Sequence, residues 1–392
     1  MNSVSEFWSR FQVPLISHLE LVFEEALLPR FCQFVRLLEI VSIEQFISSP
    51  HAQWMGRKQL DRQNIARAFL AKAVFNCSTT EMLIERLTVE PVLRRLCGFE
   101  TVRSIPSSST FSRAFKEFAE MNLGDRVHAA LVATHVGKTV VTHVSRDSTE
   151  VGAREKPFNA DKVRITSSST SKELTLDMVE EPKEVVKEEV VAPAKRKPGR
   201  PKKGEVVPPK ALTRLETQLT QTAHEALAEL PKVCNWGSKN DSKGKSHRWV
   251  GWKAHFDWAD KGLPLTVVTT SASCHDSQVA IPMMRLTASK CVSCYDLMDA
   301  AYDAASITQV SKELGHTPII DKNVRRGEKI PKSDADAAIY KQRSTAERGN
   351  SRLKDEYGLR NLRVRGHAKA HMHIMFGVLA LFSDQLHKII MC

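Results

Sequence analysis

The stretch Lys138-Thr-Val-Val-Thr-His-Val-Ser-Arg-Asp147-Ser-Thr149 is where the sequence changes from helical patterns to strand patterns. Its β-branched residues predict a β-strand, and we expect that strand to end at Asp147. An acid at that position would lie at the carboxyl edge of a sheet, where the sites of open α/β folds are found. Acids at strand ends also serve as turn formers and helix caps, so Asp147 alone does not identify a site.

Residues 1–130 precede this strand and carry helical patterns. Asp61 is placed to cap one helix, Thr79 opens another, and the serine-rich turn at 105–110 leads into a helix that carries Arg113. Short helices with interleaved basic residues are compatible with a helix-turn-helix-like domain for DNA binding or dimerisation. A plain helical scaffold fits the same pattern equally well.

Residues 154–210 form a low-complexity insertion that is rich in serine, charged residues and proline, which is typical of a disordered segment. Its basic part includes Pro198-Gly-Arg200-Pro-Lys202, which is similar to an AT-hook. In that motif an arginine enters a narrow minor groove, so Arg200 and Lys202 are predicted to bind DNA. The alternative is a generic basic linker.

The sequence after the insertion alternates between strand and helix patterns. In chain order it predicts a helix over 212–230, a hairpin of strands 248–258 and 265–270, a helix opened by His275-Asp276-Ser277, a strand over 292–299, a helix from Ser306 and a strand over 318–320. This order predicts a mixed α/β fold in which helices pack on a mixed sheet. The domain that contains this sheet is expected to span residues 137–392, interrupted by the insertion.

The last element is the stretch Tyr340-Lys-Gln-Arg343-Ser-Thr-Ala-Glu347, followed seven residues later by Lys354. On a continuous helix these four polar side chains lie within a stripe about 60° wide. Such a stripe presents a phenol, a guanidinium, a carboxylate and an ammonium together. A solvated helix face with i,i+4 ion pairs is the alternative.

Three acids, Asp147, Asp299 and Glu347, are expected to converge at one edge of the sheet. Carboxylates without His or Cys partners suit Mg²⁺ or Mn²⁺. A pair of such ions about 3.5–4 Å apart activates an attacking hydroxyl and stabilises the leaving oxygen of a phosphodiester. The basic residues around them would then hold the phosphate backbone.

Tyr340, Arg343, Glu347 and Lys354 have the spacing of a Tyr-Arg-Glu-Lys signature. With these residues the chain resembles the DDE-type bacterial insertion-sequence transposases, which have an RNase H-like catalytic core. The four positions match that group's signature at every spacing.

The similarity extends beyond this helix. Arg146-Asp-Ser-Thr149 and Asp299-Ala-Ala-Tyr-Asp303 resemble the group's first and second acid motifs, and 105–112 resembles its helical amino-terminal domain. The insertion at 154–210 is the least typical part.

The resemblance implies a function as well as a fold. Asp147, Asp299 and Glu347 would be the catalytic metal ligands, while Tyr340, Arg343 and Lys354 would position DNA. The group cleaves DNA at terminal inverted repeats and joins the freed 3′-hydroxyl to target DNA. Synapsis of two ends implies at least a homodimer.

The second acid is the least defined of the three. Asp299 is chosen because it ends an apolar run and precedes two small residues. Asp303 fits the N-cap of the next helix better, and Asp296 lies on the opposite face of the strand.

Composition narrows the class of protein. The chain has 392 residues and a net charge of +12, which favours a polyanionic partner, nucleic acid before membrane. No secretory signal and no membrane span are expected, and eight scattered cysteines are typical of a reduced compartment. The expected location is the bacterial cytoplasm, at the nucleoid. The alternatives are a metal-dependent nuclease of the same fold and a non-catalytic DNA-binding protein derived from a transposase.

Overall fold

A mixed β-sheet organises the fold in the computed structural model, which describes residues 28–48, 61–137, 139–158, 212–240, 244–323 and 331–391. In these residues the sheet has six strands: β1 Val140–Gly152, β2 Asn235–Asn240, β3 Ser246–Ala259, β4 Pro264–Ser271, β5 Val292–Met298 and β6 Thr317–Ile320. Strand β3 pairs antiparallel with β1, β2 and β4, and β1, β5 and β6 run parallel. The predicted mixed α/β fold is confirmed, and the arrangement is consistent with an RNase H-like core.

The helices precede the sheet, cover it and follow it. Their bounds are α1 Pro29–Val41, α2 Arg62–Val74, α3 Thr80–Val89, α4 Pro91–Leu96, α5 Ser108–Glu120, α6 Leu123–His135, α7 Arg214–Thr220, α8 Ala223–Ala228, α9 Ser277–Ala288, α10 Ala305–Glu313, α11 Asp334–Tyr340, α12 Ser344–Asp355 and α13 His367–Met391. The predicted caps at Asp61 and Thr79 are present, because their side chains accept hydrogen bonds from Gln63 N–H and Met82 N–H.

The amino-terminal helices share a hydrophobic core with α13. Phe69 on α2 stacks on Phe376 of α13 with ring centroids 5.4 Å apart, and Phe115 on α5 lies 4.9 Å from Phe69. Most of α2 is buried, so it is a core helix and not a surface one. The proposed division of the chain near residue 130 stays a prediction.

Two elements outside the candidate site differ from the sequence-based expectation. The single helix predicted over 212–230 is broken into α7 and α8, because Thr222 begins a new helix in a reciprocal capping box with Glu225. Strand β2 was not predicted. It carries Gly237, which lies where a Cβ would come 2.6 Å from the Trp249 ring.

No membrane span is expected from the sequence, but α13 has the length and composition of one. This helix is long and apolar enough to cross a membrane by length and composition. In the structure most of its apolar stretch is buried inside the protein, and Phe376 and Phe382 belong to the main core. Its hydrophobicity therefore reflects a central packing position.

The predicted insertion lies almost entirely outside the described residues. Its AT-hook-like segment, with Arg200 and Lys202, falls in that part, so the DNA-binding role of these two residues stays a prediction.

Candidate active site

Strand register places Asp147 beside Asp299. The parallel pairing of β1 with β5 reaches Ser145 opposite Leu297, and each acid follows its own strand's last paired residue by two positions. Side chains two residues apart on a strand share a face, so both carboxylates lie on the same face at the point where the two strands separate.

The prediction that the strand ends at Asp147 was wrong. Strand β1 continues to Gly152, because its other edge pairs with β3 as far as Gly251. Asp147 therefore lies inside a strand, at the end of the pairing with β5 only. The run Ser148-Thr-Glu-Val151 keeps the composition of a strand and extends the antiparallel pairing.

Asp147 is a buried carboxylate, with 9% of the residue exposed. Asn350 Nδ2 on α12 donates a hydrogen bond of 3.0 Å to its Oδ2. Burial raises the pKa of Asp147 to about 6. The negative charge of Asp299 raises it too, while Lys239 and Arg343 lower it.

Asp299 is half-buried and begins a short 3₁₀ turn, Ala300–Tyr302. Its Oδ1 accepts a hydrogen bond of 2.9 Å from Ala301 N–H. Burial raises its pKa, and the hydrogen bond from Ala301 and the charge of Arg343 oppose that rise. Its second carboxylate oxygen carries no protein hydrogen bond among the described residues.

The two competing aspartates are engaged elsewhere. Asp296 is buried, and its Oδ2 accepts hydrogen bonds from Ser311 Oγ at 2.6 Å and binds His316 Nδ1 at 3.0 Å. Asp303 does not cap α10 as expected, because it accepts hydrogen bonds from Lys322 Nζ and Asn323 N–H, each at 3.0 Å.

Glu347 is more exposed than the other two predicted metal ligands. Its side chain is 59% exposed and accepts a hydrogen bond from Arg343 Nη2 at 2.5 Å. Arg343 also interacts electrostatically with Asp147 and Asp299, so one guanidinium is shared by all three predicted ligands. Within the described ranges no group of three His, Cys, Asp or Glu side chains is arranged to hold a metal ion.

The predicted continuous helix is divided by a tighter turn. Helix α11 ends at Tyr340, a 3₁₀ turn covers Lys341–Arg343, and α12 begins at Ser344. Two cations lie over the Tyr340 ring: Lys332 Nζ is 4.0 Å from the ring centroid and the Arg343 guanidinium carbon 5.9 Å. Burial raises the pKa of Tyr340 to about 12, although Arg343 opposes this.

Lys354 lies at the far end of the same helix, next to β1. Its Nζ is 3.7 Å from Glu150 Oε1. Burial lowers its pKa and Glu150 raises it. The stripe from Arg343 to Lys354 therefore runs along β1 beside the buried aspartates.

Helix α12 approaches the sheet closely at Gly349. A Cβ at that position would come 2.5 Å from the ring of Trp258, which is fully buried. Leu353 and Ala346 on the same face are also fully buried. This close approach brings Asn350 within hydrogen-bonding distance of Asp147.

Sequence reasoning missed three residues of the site. Asn350 follows Glu347 by three positions and could have been found by helical spacing. Lys239 lies on strand β2, which was not predicted, and its charge lowers the pKa of both Asp147 and Asp299. Asp276 was assigned to a helix cap, but its carboxylate accepts a hydrogen bond from Lys253 Nζ at 3.0 Å and raises the pKa of Asp299.

Tyr302 interacts electrostatically with Asp147, Asp276 and Asp299. It is buried, and within the described part of the chain its hydroxyl has no hydrogen-bond partner. The charges of Asp276, Asp147 and Asp299 add to burial in raising its pKa. The site therefore combines several carboxylates with a buried polar atom that has no partner.

Two protein-family models match the chain. A transposase DDE domain matches residues 213–383, and a transposase domain (DUF772) matches residues 22–117. The first match contains Asp299 and Glu347, whereas Asp147 lies between the two. Comparison with curated proteins finds no match, and neither does comparison with solved structures. The Tyr-Arg-Glu-Lys signature is not tested by these matches, but both models are transposase domains. The chain therefore belongs to the DDE-type transposases of insertion sequences.

Proposed function

We propose that this transposase cuts DNA at terminal inverted repeats and joins the freed 3′ ends to target DNA, with divalent metal ions as cofactors. The observation that carries the proposal is the in-register pair Asp147 and Asp299, with Arg343 acting on both. Such a pair of carboxylates with a shared cation suits chemistry on a charged phosphodiester.

The donor set fits Mg²⁺ or Mn²⁺. Asp147 and Asp299 offer only oxygen, which these ions prefer, and a cation between them would offset their burial and mutual repulsion. Glu347 is the third proposed ligand, and it joins the set once it is released from Arg343. We propose two ions, which supply an activated hydroxyl and stabilise the leaving oxygen.

The protein's own residues have the remaining tasks. Asn350 holds Asp147 in one orientation through its hydrogen bond. Arg343, Tyr340 and Lys354 contact DNA near the transposon end, with Arg343 placed to accept a phosphate in exchange for Glu347. The same site serves cleavage and joining, because both steps are attacks of an oxygen on phosphorus.

The wider partners follow from the reaction. Two transposon ends must be held together, which supports a homodimer in the synaptic complex. Arg200 and Lys202 are proposed to add contacts with the minor groove. We place the protein in the bacterial cytoplasm, where the nucleoid DNA is.

The test is a strand-transfer assay with the full chain. Labelled duplexes that carry the repeats flanking the gene are incubated with unlabelled target DNA and Mg²⁺. We expect label joined covalently to target, and loss of joining in Asp147→Asn, Asp299→Asn and Glu347→Gln. Asp303→Asn is the matched control, because Asp303 is paired with Lys322, and it should remain active.

Each other outcome contradicts part of the proposal. Release of free ends without joining would identify a nuclease. DNA binding without cleavage by the unmodified protein would identify a non-catalytic binding protein. Full activity of Glu347→Gln would remove Glu347 from the site.

A further inference from the structure

A basic cavity lies between the amino-terminal helices and the segment that follows α12. Its volume is about 520 Å³, and Tyr340, Arg343, Glu347 and the site aspartates do not line it. Its floor is aromatic, with Phe69, Phe115 and Phe376, and its walls carry hydroxyl and basic side chains.

Four cations line this cavity: Lys72, Arg363, Arg365 and Lys369. None of the four makes a hydrogen bond or an ion pair with the rest of the described chain. The lining contains one carboxylate, Glu81, which accepts a hydrogen bond from Ser108 Oγ at 2.9 Å. The cavity thus has a clear excess of unneutralised positive charge.

Lys72 shows that this charge opposes folding in the absence of a partner. Burial lowers its pKa and the charge of Arg363 lowers it further, while Cys77 and the carboxylate of Glu81 oppose this fall. A partly desolvated ammonium without a carboxylate at ion-pair distance costs stability. An anion in the cavity would remove that cost.

Two helix N-termini open onto the same space. Thr79 and Thr80 at the start of α3 and Ser108 at the start of α5 are among the lining residues. A helix N-terminus carries N–H groups without a helical partner and the positive end of the helix dipole, and both favour an anion. They add to the four cations.

We infer that this cavity binds a backbone phosphate of duplex DNA, as an anchoring point separate from the candidate active site. Arg363 and Arg365 are exposed at its rim, where a polymer can reach them, and a guanidinium suits phosphate oxygens. They follow Lys354 by nine and eleven residues in the sequence, and the inference has one duplex span both the active site and this rim. The inference rests on the proposed function, since DNA is the substrate there.

The test is binding of a labelled duplex to the full chain, measured by fluorescence anisotropy in EDTA over a series of salt concentrations. The variant is Arg363→Gln with Arg365→Gln. We expect a roughly tenfold loss of affinity at about 0.1 M salt and a salt slope smaller by about 1 to 2. The control is Lys261→Gln with Lys312→Gln, which removes the same charge from two exposed positions.

An equal loss in both double variants, or no loss in the first, would overturn the inference. If the first variant unfolds, Lys369→Gln replaces it with the same expectation of a smaller salt slope. Inorganic phosphate is the second probe. If it raises the Tm of the unmodified protein and not of the variant while DNA binding is unchanged, the cavity is a site for a free anion and the assignment to DNA is wrong.

This inference and the proposed function can fail independently of each other. Asp147→Asn should bind the duplex normally in EDTA while failing to cut it in Mg²⁺. Normal binding by the Arg363 and Arg365 variant would leave that result intact.

Discussion

Asp147 is a residue whose ionisation opposes folding. Its folded-state pKa of about 6 lies above the ordinary value of 3.8, chiefly because it is buried. The folded protein therefore holds a proton that the unfolded chain loses. Stability falls as pH rises from about 4 to 6, by up to about 3 kcal/mol at neutral pH.

Asp147→Asn should consequently stabilise the metal-free protein while abolishing cleavage. At pH 7 in EDTA we expect a gain of about 3 kcal/mol, which disappears below about pH 4. Urea unfolding between pH 4 and 8 measures it. Asp303→Asn is the control, because ion pairing and hydrogen bonding lower the pKa of Asp303 overall despite burial, so its loss should not stabilise. A destabilised Asp147→Asn at every pH would contradict the environment described for this carboxylate.

Asn350 is a positioning residue that acts through its hydrogen bond to Asp147. Asn350→Ala removes the amide that donates to Asp147 Oδ2, so the carboxylate loses its fixed orientation. We expect about a 10- to 100-fold loss in metal affinity or cleavage rate, measured as the Mg²⁺ dependence of cleavage. Ser351→Ala, at an exposed position on the same helix, should match the unmodified protein. An unchanged Mg²⁺ dependence in Asn350→Ala would show that the hydrogen bond has no positioning role.

At the scale of elements, α12 depends on one close contact with the sheet. Gly349 allows the helix backbone to rest on the Trp258 ring, and Asn350 and Glu347 take their positions from that contact. The helix and the sheet surface beneath it are therefore one structural unit.

Gly349→Ala should weaken the contact between α12 and the sheet. The added methyl group would lie 2.5 Å from the ring of Trp258 on β3, so α12 must move away from the sheet. We expect a loss of about 1–3 kcal/mol and a larger proportional loss of cleavage, measured by thermal unfolding and the strand-transfer assay. Unaltered cleavage in a folded Gly349→Ala would mean that the site tolerates movement of the helix.

Sequence patterns predict the elements whose signals are local and miss features that depend on distant partners. β-Branched runs and cap residues located β1, the β3–β4 hairpin, β5 and α9, because these signals are local. The extension of β1 past Asp147 depends on pairing with β3, a partner about a hundred residues away. The register that brings Asp147 beside Asp299 depends on packing and could not be derived from spacing alone. The pairing of Glu347 with Arg343 is the i,i+4 ion pair that the sequence offered as the alternative for this helix.

At the scale of the whole molecule, buried histidines join the helical region to the sheet. His128 on α6 binds the Pro264 carbonyl of β4 at 2.8 Å. Burial lowers its pKa to about 4. The charges of Lys290 and His371 also lower this pKa, while the charge of Asp125 raises it. In the unfolded chain His128 binds a proton near pH 6.5, whereas in the folded chain it stays neutral down to about pH 4. The free energy of unfolding therefore falls as pH falls from 6.5 towards 4.

His128→Gln keeps a side chain able to donate to the Pro264 carbonyl and removes the titration. We expect the unmodified protein to lose up to about 3 kcal/mol more than this variant between pH 7 and 4, measured by urea unfolding. His224→Gln, at an exposed position, is the control and should follow the unmodified protein. Parallel pH curves for His128→Gln and the unmodified protein would contradict a buried neutral imidazole.

The pairing of β1 with β3 has a consequence for how this chain accepts added sequence. Strand β1 ends at Gly152, opposite Gly251 of β3, and the chain returns to the sheet at β2, which begins at Asn235. Closing a flexible loop twice as long costs only about 0.6 kcal/mol more. A reporter domain or a new DNA-binding module inserted between residues 158 and 212 would therefore leave Asp147 and Asp299 in register, which makes this a place where the transposase can be lengthened.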